Sequence, residues 1–488
     1  MRYPDLAVIL VYLAGITWFG ARFRRSQRTL KDYFLGGRSA PWWAIALSIV
    51  SAETSTLTII GTPALSFTGD LGFLQVVLGY LLARLVISAV FLPLYFRGEM
   101  FTAYELMERR FGPGMRKLTA ATFLLLRAFA EGVRVFAISI VISTVLGTGE
   151  LASIFLIVAL TLFYTFEGGM KAVIWTDVVQ MFLYVLGALV SLFVILQHVP
   201  GGWAQLLAEA PAGKFRVFHF GFALTPEFFS QPYTFWAGLI GGCFLTTASH
   251  GTEQLMVQRL LAARDQRQSR TALLASWVVI AFQFGLFLLI GVILSVLYNR
   301  AHLSPPQPLD SLYPRFVWQH LPTGVAGLVV AAILAAAMSN LSAALNSLAS
   351  TTVVDFVQPL RRGAAAGPDS EKRQLALARA ATLAWGGVLL VIGAVARHWG
   401  PVLETGLSIA SIAYGGLLGV FLLGVLPHRV SGSAAAAGMA AGIAAVVAVK
   451  LATHVAWTWY VAIGTAVTVA CALLASLFLQ ERRSPHAG

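Results

Sequence analysis

Charge is what this chain has least of. Only 11% of its 488 residues are Asp, Glu, Lys or Arg, against about 25% in ordinary globular proteins, and 58% are hydrophobic. That balance excludes a soluble enzyme, a fibre and a disordered chain. Cysteine is nearly absent as well. Cys243 and Cys471 both fall inside apolar runs, which rules out a disulfide framework or a cysteine metal cluster and leaves them as helix-packing residues. No pair among the nine histidines stands at metal-ligand spacing within one apolar run. The sequence therefore offers no metal-based catalytic centre, and no cofactor is expected.

What fills the chain is long apolar stretches. Thirteen run through 5–21, 41–66, 72–96, 117–146, 151–166, 172–197, 235–258, 272–298, 324–356, 375–397, 401–425, 432–450 and 457–479. Most reach the 17 or so residues that carry a helix across a hydrocarbon core of about 30 Å. The expectation is an all-α polytopic membrane protein of about 13 transmembrane helices, forming a single transmembrane domain over 1–488 in contact with membrane lipid. The net charge of +13 would suggest nucleic acid in a soluble protein, but here its distribution reads as topology. Most of the 34 basic residues fall in alternate loops, in clusters such as Arg22 to Arg38, Arg97 to Lys117 and Arg259 to Arg270. The other loops hold only Arg2, Lys214, Arg216, Arg300, Arg315, Arg397 and Lys450. The positive-inside rule then puts the N-terminus outside and the C-terminus inside, as an odd number of crossings requires. The first run has its basic cluster after it and no small-residue cleavage site, so it is expected to stay as a helix. Segments 198–234 and 299–323, with prolines and aromatics, are expected to form short outer lids.

Functional positions are sought where the membrane interior is polar, because an ionisable group at the bilayer centre costs at least about 2.5 kcal/mol. Run 41–66 carries Ser51-Ala52-Glu53-Thr54-Ser55-Thr56. Glu53 lies about 18 Å from Pro41 by helical rise, near the midplane. The expectation is a broken helix whose freed carbonyls face a cavity; the competing reading is a packed helix whose hydroxyls bond the preceding turn. Run 324–356 has Ala336, Ser339, Asn340, Ala343 and Ser347 on one small, oxygen-bearing face, which suits a cation site and helix packing equally. Asp177, in run 172–197, is either a cation ligand or gate, or a partner for a basic loop residue. Arg127, Glu131 and Arg134 share one helical face, either as an ion-pair triad or as a ligand site. Counting Arg84, Arg127 and Arg134 against Glu53, Glu131 and Asp177 leaves about one guanidinium unpaired once Asp177 is reserved for an ion. That surplus favours a solute with a carboxylate or other negative group.

At these places the sequence resembles the sodium/solute symporter family, which includes the sodium/glucose, sodium/proline and sodium/sialic acid transporters. The resemblance is carried by Asp32-Tyr33-Phe34-Leu35-Gly36-Gly37-Arg38, Trp42-Trp43, Tyr104-Glu105-Leu106 with Glu108-Arg109-Arg110-Phe111-Gly112, Gly168-Gly169-Met170-Lys171 through Asp177, Glu253-Gln254-Leu255-Met256-Val257-Gln258-Arg259, and Ala343-Ala344-Leu345-Asn346-Ser347. It implies an inverted five-helix-repeat (LeuT-like) core. The repeats are 41–197 and 235–425, with a leading helix 5–21 and two trailing helices within 432–479. It further implies a sodium site made by the carbonyls of Ser51, Thr54 and Ala336 and the side-chain oxygens of Ser339 and Asn340, a neutral oxygen set that suits a hard cation. The family usually has Ser or Thr where Asn340 stands. A second cation or gating site would use Asp177, Ser339 and Ser342, but the hydroxyl it needs at position 343 is missing, so one sodium per solute is expected.

The implied function is sodium-coupled symport of a small organic solute by alternating access, in a plasma membrane, a bacterial inner membrane above all. Glu53, Ser55, Thr58, Gln75 and Arg134 are the substrate candidates. Proton coupling through Glu53 is the nearest alternative. A membrane-embedded enzyme would need paired catalytic residues, and a transporter-like sensor would need a signalling domain. No nucleic acid and no obligatory protein partner are expected.

Overall fold

A computed structural model describes residues 2–22, 38–97, 104–164, 170–199, 201–357, 368–425 and 430–481. The motif residues 32–37 and 167–169 lie outside these segments. Among the described residues the fold is helical, with one isolated bridge between Ala40 and Ala263. The first half contains α1 (Tyr3–Ala21), α2 (Trp42–Glu53), α3 (Thr56–Thr68), α4 (Leu74–Val86), α5 (Tyr104–Phe111), α6 (Pro113–Leu146), α7 (Glu150–Tyr164) and α8 (Met170–Gln197). A lid with short helices α9 (Gly202–Glu209) and α10 (Pro226–Ser230) leads to α11 (Phe235–Gly251), α12 (Gln254–Leu261) and α13 (Gln266–Arg300). A second lid with α14 (Leu312–His320) precedes α15 (Val325–Thr351), α16 (Pro368–Ala396), α17 (Val402–Val425), α18 (Gly432–Ala452) and α19 (Tyr460–Glu481).

Among the described residues eight helices are long and apolar enough to cross a membrane, or nine if the bent pair α2 and α3 is one crossing. The apolar runs at 5–21, 151–166 and 375–397 contain shorter apolar helices, and run 235–258 is divided between α11 and α12. Among the described residues each apolar run is largely helical, and the protein is a multi-pass helical membrane protein.

Two breaks organise the interior. Thr54 (φ −80°, ψ 86°) and Ser55 (φ −87°, ψ 173°) leave helical geometry, and α3 turns 63° away from α2. Hydroxyl-bearing residues compete for backbone partners and favour helix ends over helix interiors, which is why the polar run at 51–56 breaks the helix. The second break follows Gly251, where Thr252 (φ −126°, ψ −18°) and Glu253 (φ −87°, ψ 129°) separate α11 from α12. Helix α11 lies against α4 so closely that a Cβ on Gly242 would come 2.2 Å from the Val76 carbonyl oxygen. Helix α1 is pinned to α15. One carboxylate oxygen of Asp5 accepts from the amides of Gly324 (2.7 Å) and Gly327 (2.8 Å), supplying the acceptor that a helix N-terminus needs.

Both lids are tied to the helices they cover. Lys214 donates to the carbonyls of Phe67 (2.7 Å) and Gly69 (2.8 Å) at the C-terminal end of α3, and His219 meets Asp70 at 2.8 Å. In the second lid Asp310 is buried, with one carboxylate oxygen on the Val402 amide at the start of α17 (3.1 Å) and the other without a partner. Burial, with Glu404 adding to it against the Val402 bond, pushes Asp310 up to about 6. An acid raised on folding binds its proton more tightly in the folded state. Stability is therefore greatest below the unfolded value near 4, falls as pH rises to about 6, and stays lower above that, by about 3 kcal/mol at most. Asp310→Asn is expected to raise the melting temperature at pH 7.5 and to leave it nearly unchanged at pH 4. Equal shifts at both values would show that the carboxylate charge is not the cause.

Candidate solute and ion site

The two breaks meet around a cavity of about 130 Å³, lined among others by Glu53, Ser55 and Thr58 from the first break, Ser249, His250 and Glu253 from the second, and Arg127 and Arg134 of α6. Phe73, Tyr80, Phe123 and Phe284 supply aromatic wall. Phe73 stacks on Phe284 at 5.0 Å and touches Tyr233 of the first lid at 5.7 Å. The end of α2 and the start of α3 both border this space. A helix C-terminus is partly negative and an N-terminus partly positive, so the break presents one end suited to a cation and another suited to an anion. Ser55, the N-cap of α3, makes no capping bond with its side chain.

Four of the five substrate candidates, Glu53, Ser55, Thr58 and Arg134, line this cavity. Gln75 does not. Its amide donates to the carbonyls of Gly72 (3.0 Å) and Tyr233 (2.7 Å), and its oxygen accepts from the His219 amide (2.9 Å), so it is spent on holding the lid. Ser51 and Thr54 are buried at the first break, with the Thr54 hydroxyl donating to Gln283 at 2.9 Å. Ala336, Ser339, Asn340 and Ser342 all lie on α15, where Asn340 and Ser342 are half-buried. Asp177 accepts from Ser48 (2.6 Å) and Arg259 (3.1 Å). Arg259 lies in the last turn of α12, so the acid has a basic partner from the second break's helix.

The charge count from sequence needs correction. Arg127 pairs with Glu131 (2.9 Å) and also with Glu253 (2.9 Å), while Arg134 pairs with Glu131. Arg84, fully buried, holds Glu53 at 2.6 Å. No guanidinium of this group lacks a carboxylate, and Glu253 at the second break, which the count omits, gives Arg127 a second one. What remains uncommitted is finer. The Arg134 Nε and the His250 Nε2 are buried without a hydrogen-bond partner, although His250 stands 3.4 Å from the Glu53 carboxylate. The sequence reading also missed His250 and Glu253 as site residues. Ser249-His250-Gly251-Thr252-Glu253, a polar run in mid-span like 51–56, was the available signal.

Two broken helices meeting at a cavity that holds buried charged side chains within an aromatic wall have the architecture of secondary transporters in which solute and ion bind at discontinuous helices. The sequence profile of the sodium:solute symporter family matches residues 33–442. The chain belongs to that family and is a sodium-coupled solute symporter. Among curated relatives it is 29% identical to the human sodium/iodide cotransporter, over 90% of this chain and 67% of that protein. It is 28% identical to the Xenopus laevis sodium-coupled monocarboxylate transporter 1 (90% and 70%). It is also 28% identical to the sodium/sialic acid symporter NanT of Aliivibrio fischeri (94% and 90%). A substrate-bound outward-open sodium-coupled sialic acid symporter superposes with a TM-score of 0.81 at 27% identity, covering 97% of this chain and 98% of that one. Mhp1, a nucleobase-cation-symport-1 family transporter, shares the fold at 12% identity and a TM-score of 0.54, over 93% of this chain and 96% of that one.

Proposed function

We propose that the protein couples one sodium ion to the uptake of a small carboxylate with a short apolar tail, across a bacterial inner membrane with its N-terminus outside and C-terminus inside. The observation that carries the solute class is the cavity. Its unpartnered Arg134 Nε and the N-terminus of α3 offer donors to an anion, and its aromatic wall accepts an apolar tail. A volume of about 130 Å³ matches on the order of four water-sized groups, below the roughly 300 Å³ at which drug-sized pockets begin. The relatives named for iodide, monocarboxylate and sialic acid support an anion. Proton coupling through Glu53 is disfavoured, because a carrier that gives up its charge would leave the buried Arg84 without a counter-ion.

Thermal melts of the purified protein with propionate, iodide, sialic acid or glucose, each with and without sodium, test this reading. A ligand that binds only the folded state raises the melting point in proportion to RT ln(1 + [L]/Kd). Propionate is expected to stabilise only when sodium is present. Stabilisation by glucose alone among these would overturn the solute class.

For the ion, we propose the carbonyls of Ser51, Thr54 and Ala336 and the side chains of Ser339 and Asn340, with Asp177 and Ser342 forming no complete second site beside Ala343. Ser339→Ala should raise the sodium concentration for half-maximal uptake by tenfold or more with near-normal membrane expression, and Asn340→Ser should be tolerated better than Asn340→Leu. Unchanged sodium dependence in Ser339→Ala would remove that residue from the site. Reversal potentials in proteoliposomes should give one sodium per solute, and a value of two would make Asp177 a ligand.

A further inference from the structure

A second and larger cavity, about 830 Å³, lies between α6, α17, α18 and α19. Its walls are mostly aliphatic and aromatic, with Leu125 and Phe129 from α6 and Ile409 and Ile412 from α17. Leu125 is 63% and Phe129 42% exposed, so the groove opens sideways, where a membrane protein meets lipid. Polar groups collect at one end. There Lys450, near the end of α18, donates to Ser408 at 3.2 Å, beside Trp399 and Trp457. Glu404, at the same end, is engaged by the Tyr233 hydroxyl at 2.5 Å. Among the described residues neither Lys450 nor Arg397, two positions before Trp399, has a carboxylate within ion-pair distance. These are two of the few basic residues on the sparsely charged side of the chain, and Lys450 lines the groove itself.

The groove's dimensions select an occupant. Along α17 it runs from Pro401 to Ala413, about 18 Å by helical rise, close to the roughly 15 Å that is half of a hydrocarbon core. Tryptophans at one end mark interfacial depth, and a lysine there offers a cation at headgroup level. We propose that this groove is a specific site for one anionic phospholipid, with an acyl chain along α17 and the phosphate on Lys450. The inference needs only that the chain spans a membrane and does not rest on the assigned solute. Leu403, Gly406, Leu407, Ala410 and Tyr414 of the same helix line the solute cavity, so lipid and solute share α17 as a common wall.

The test uses the full chain in phosphatidylcholine nanodiscs doped with phosphatidylglycerol of identical acyl chains, with retained lipids counted by native mass spectrometry. One phosphatidylglycerol is expected to be kept in preference to phosphatidylcholine. Lys450→Gln should cut that retention at least fivefold, and because Lys450 is exposed the fold should survive. Ile412→Trp, which fills the groove without altering charge, should abolish retention of both lipids. Equal retention of the two lipids by the wild type, no effect of Lys450→Gln, or undiminished retention in Ile412→Trp would each overturn the proposal.

Discussion

Arg84→Met is expected to destabilise the protein by about 3–5 kcal/mol, the usual cost of removing one partner from a buried ion pair, and to abolish uptake. Arg84 is 0% exposed. It gives Glu53 a 2.6 Å contact while also donating to Ser276 (3.1 Å) and to the Tyr80 carbonyl (3.3 Å). Without it, Glu53 would be left as an anion at the C-terminal end of α2, where the helix dipole is already negative, with only His250 nearby. Since total stabilities run to about 5–15 kcal/mol, the folded yield on size-exclusion chromatography should fall sharply. The double variant Arg84→Met with Glu53→Gln removes both charges and should recover most of the loss. Strong coupling in that double-mutant cycle is the expected signature of a direct pair. Additive losses would mean that Arg84 acts through Ser276 and the Tyr80 carbonyl instead.

The first break was legible in the sequence because its signal is local: six consecutive polar or small residues cannot sit quietly in a lipid-facing helix, and the bend falls within them. The second was not read, although Thr252 and Glu253 do the same work in α11 and α12. There the polar run is interrupted by Gly251 and continues into a family-like segment, so Glu253 was read as motif and left out of the charge count. Gln75 shows a different limit. A glutamine among apolar residues looks like a pocket residue, and nothing in its neighbourhood along the chain announces that a lid 144 positions away takes its oxygen. The partners of Asp177 illustrate the same point, because Arg259 reaches it from 82 positions on. Periodicity and composition fix which segments are helices, whereas the pairing of buried charges depends on contacts that only the assembled helices create.

Arg134→Gln is expected to raise the apparent KM for a carboxylate solute by about 10- to 100-fold, the equivalent of one lost charge-assisted interaction of about 1.5–3 kcal/mol. The fold should tolerate this change better than the loss of Arg84, for two reasons. Arg134 is 23% exposed at its side chain, and Glu131 keeps Arg127 as a partner at 2.9 Å. The effect should be selective: an uncharged solute of the same size, propionamide against propionate, should lose less, because a neutral amide oxygen lacks the charge-assisted part of the interaction with the guanidinium. Sodium provides an independent readout. If ion and solute favour the same conformation, their coupling is reciprocal, so weakening the solute should also reduce its ability to tighten sodium, while sodium binding without solute stays as in the wild type. The measurement is uptake into proteoliposomes over a matrix of sodium and propionate concentrations. An unchanged KM for propionate in Arg134→Gln would remove this arginine from the solute site and leave the N-terminus of α3 as the anion anchor.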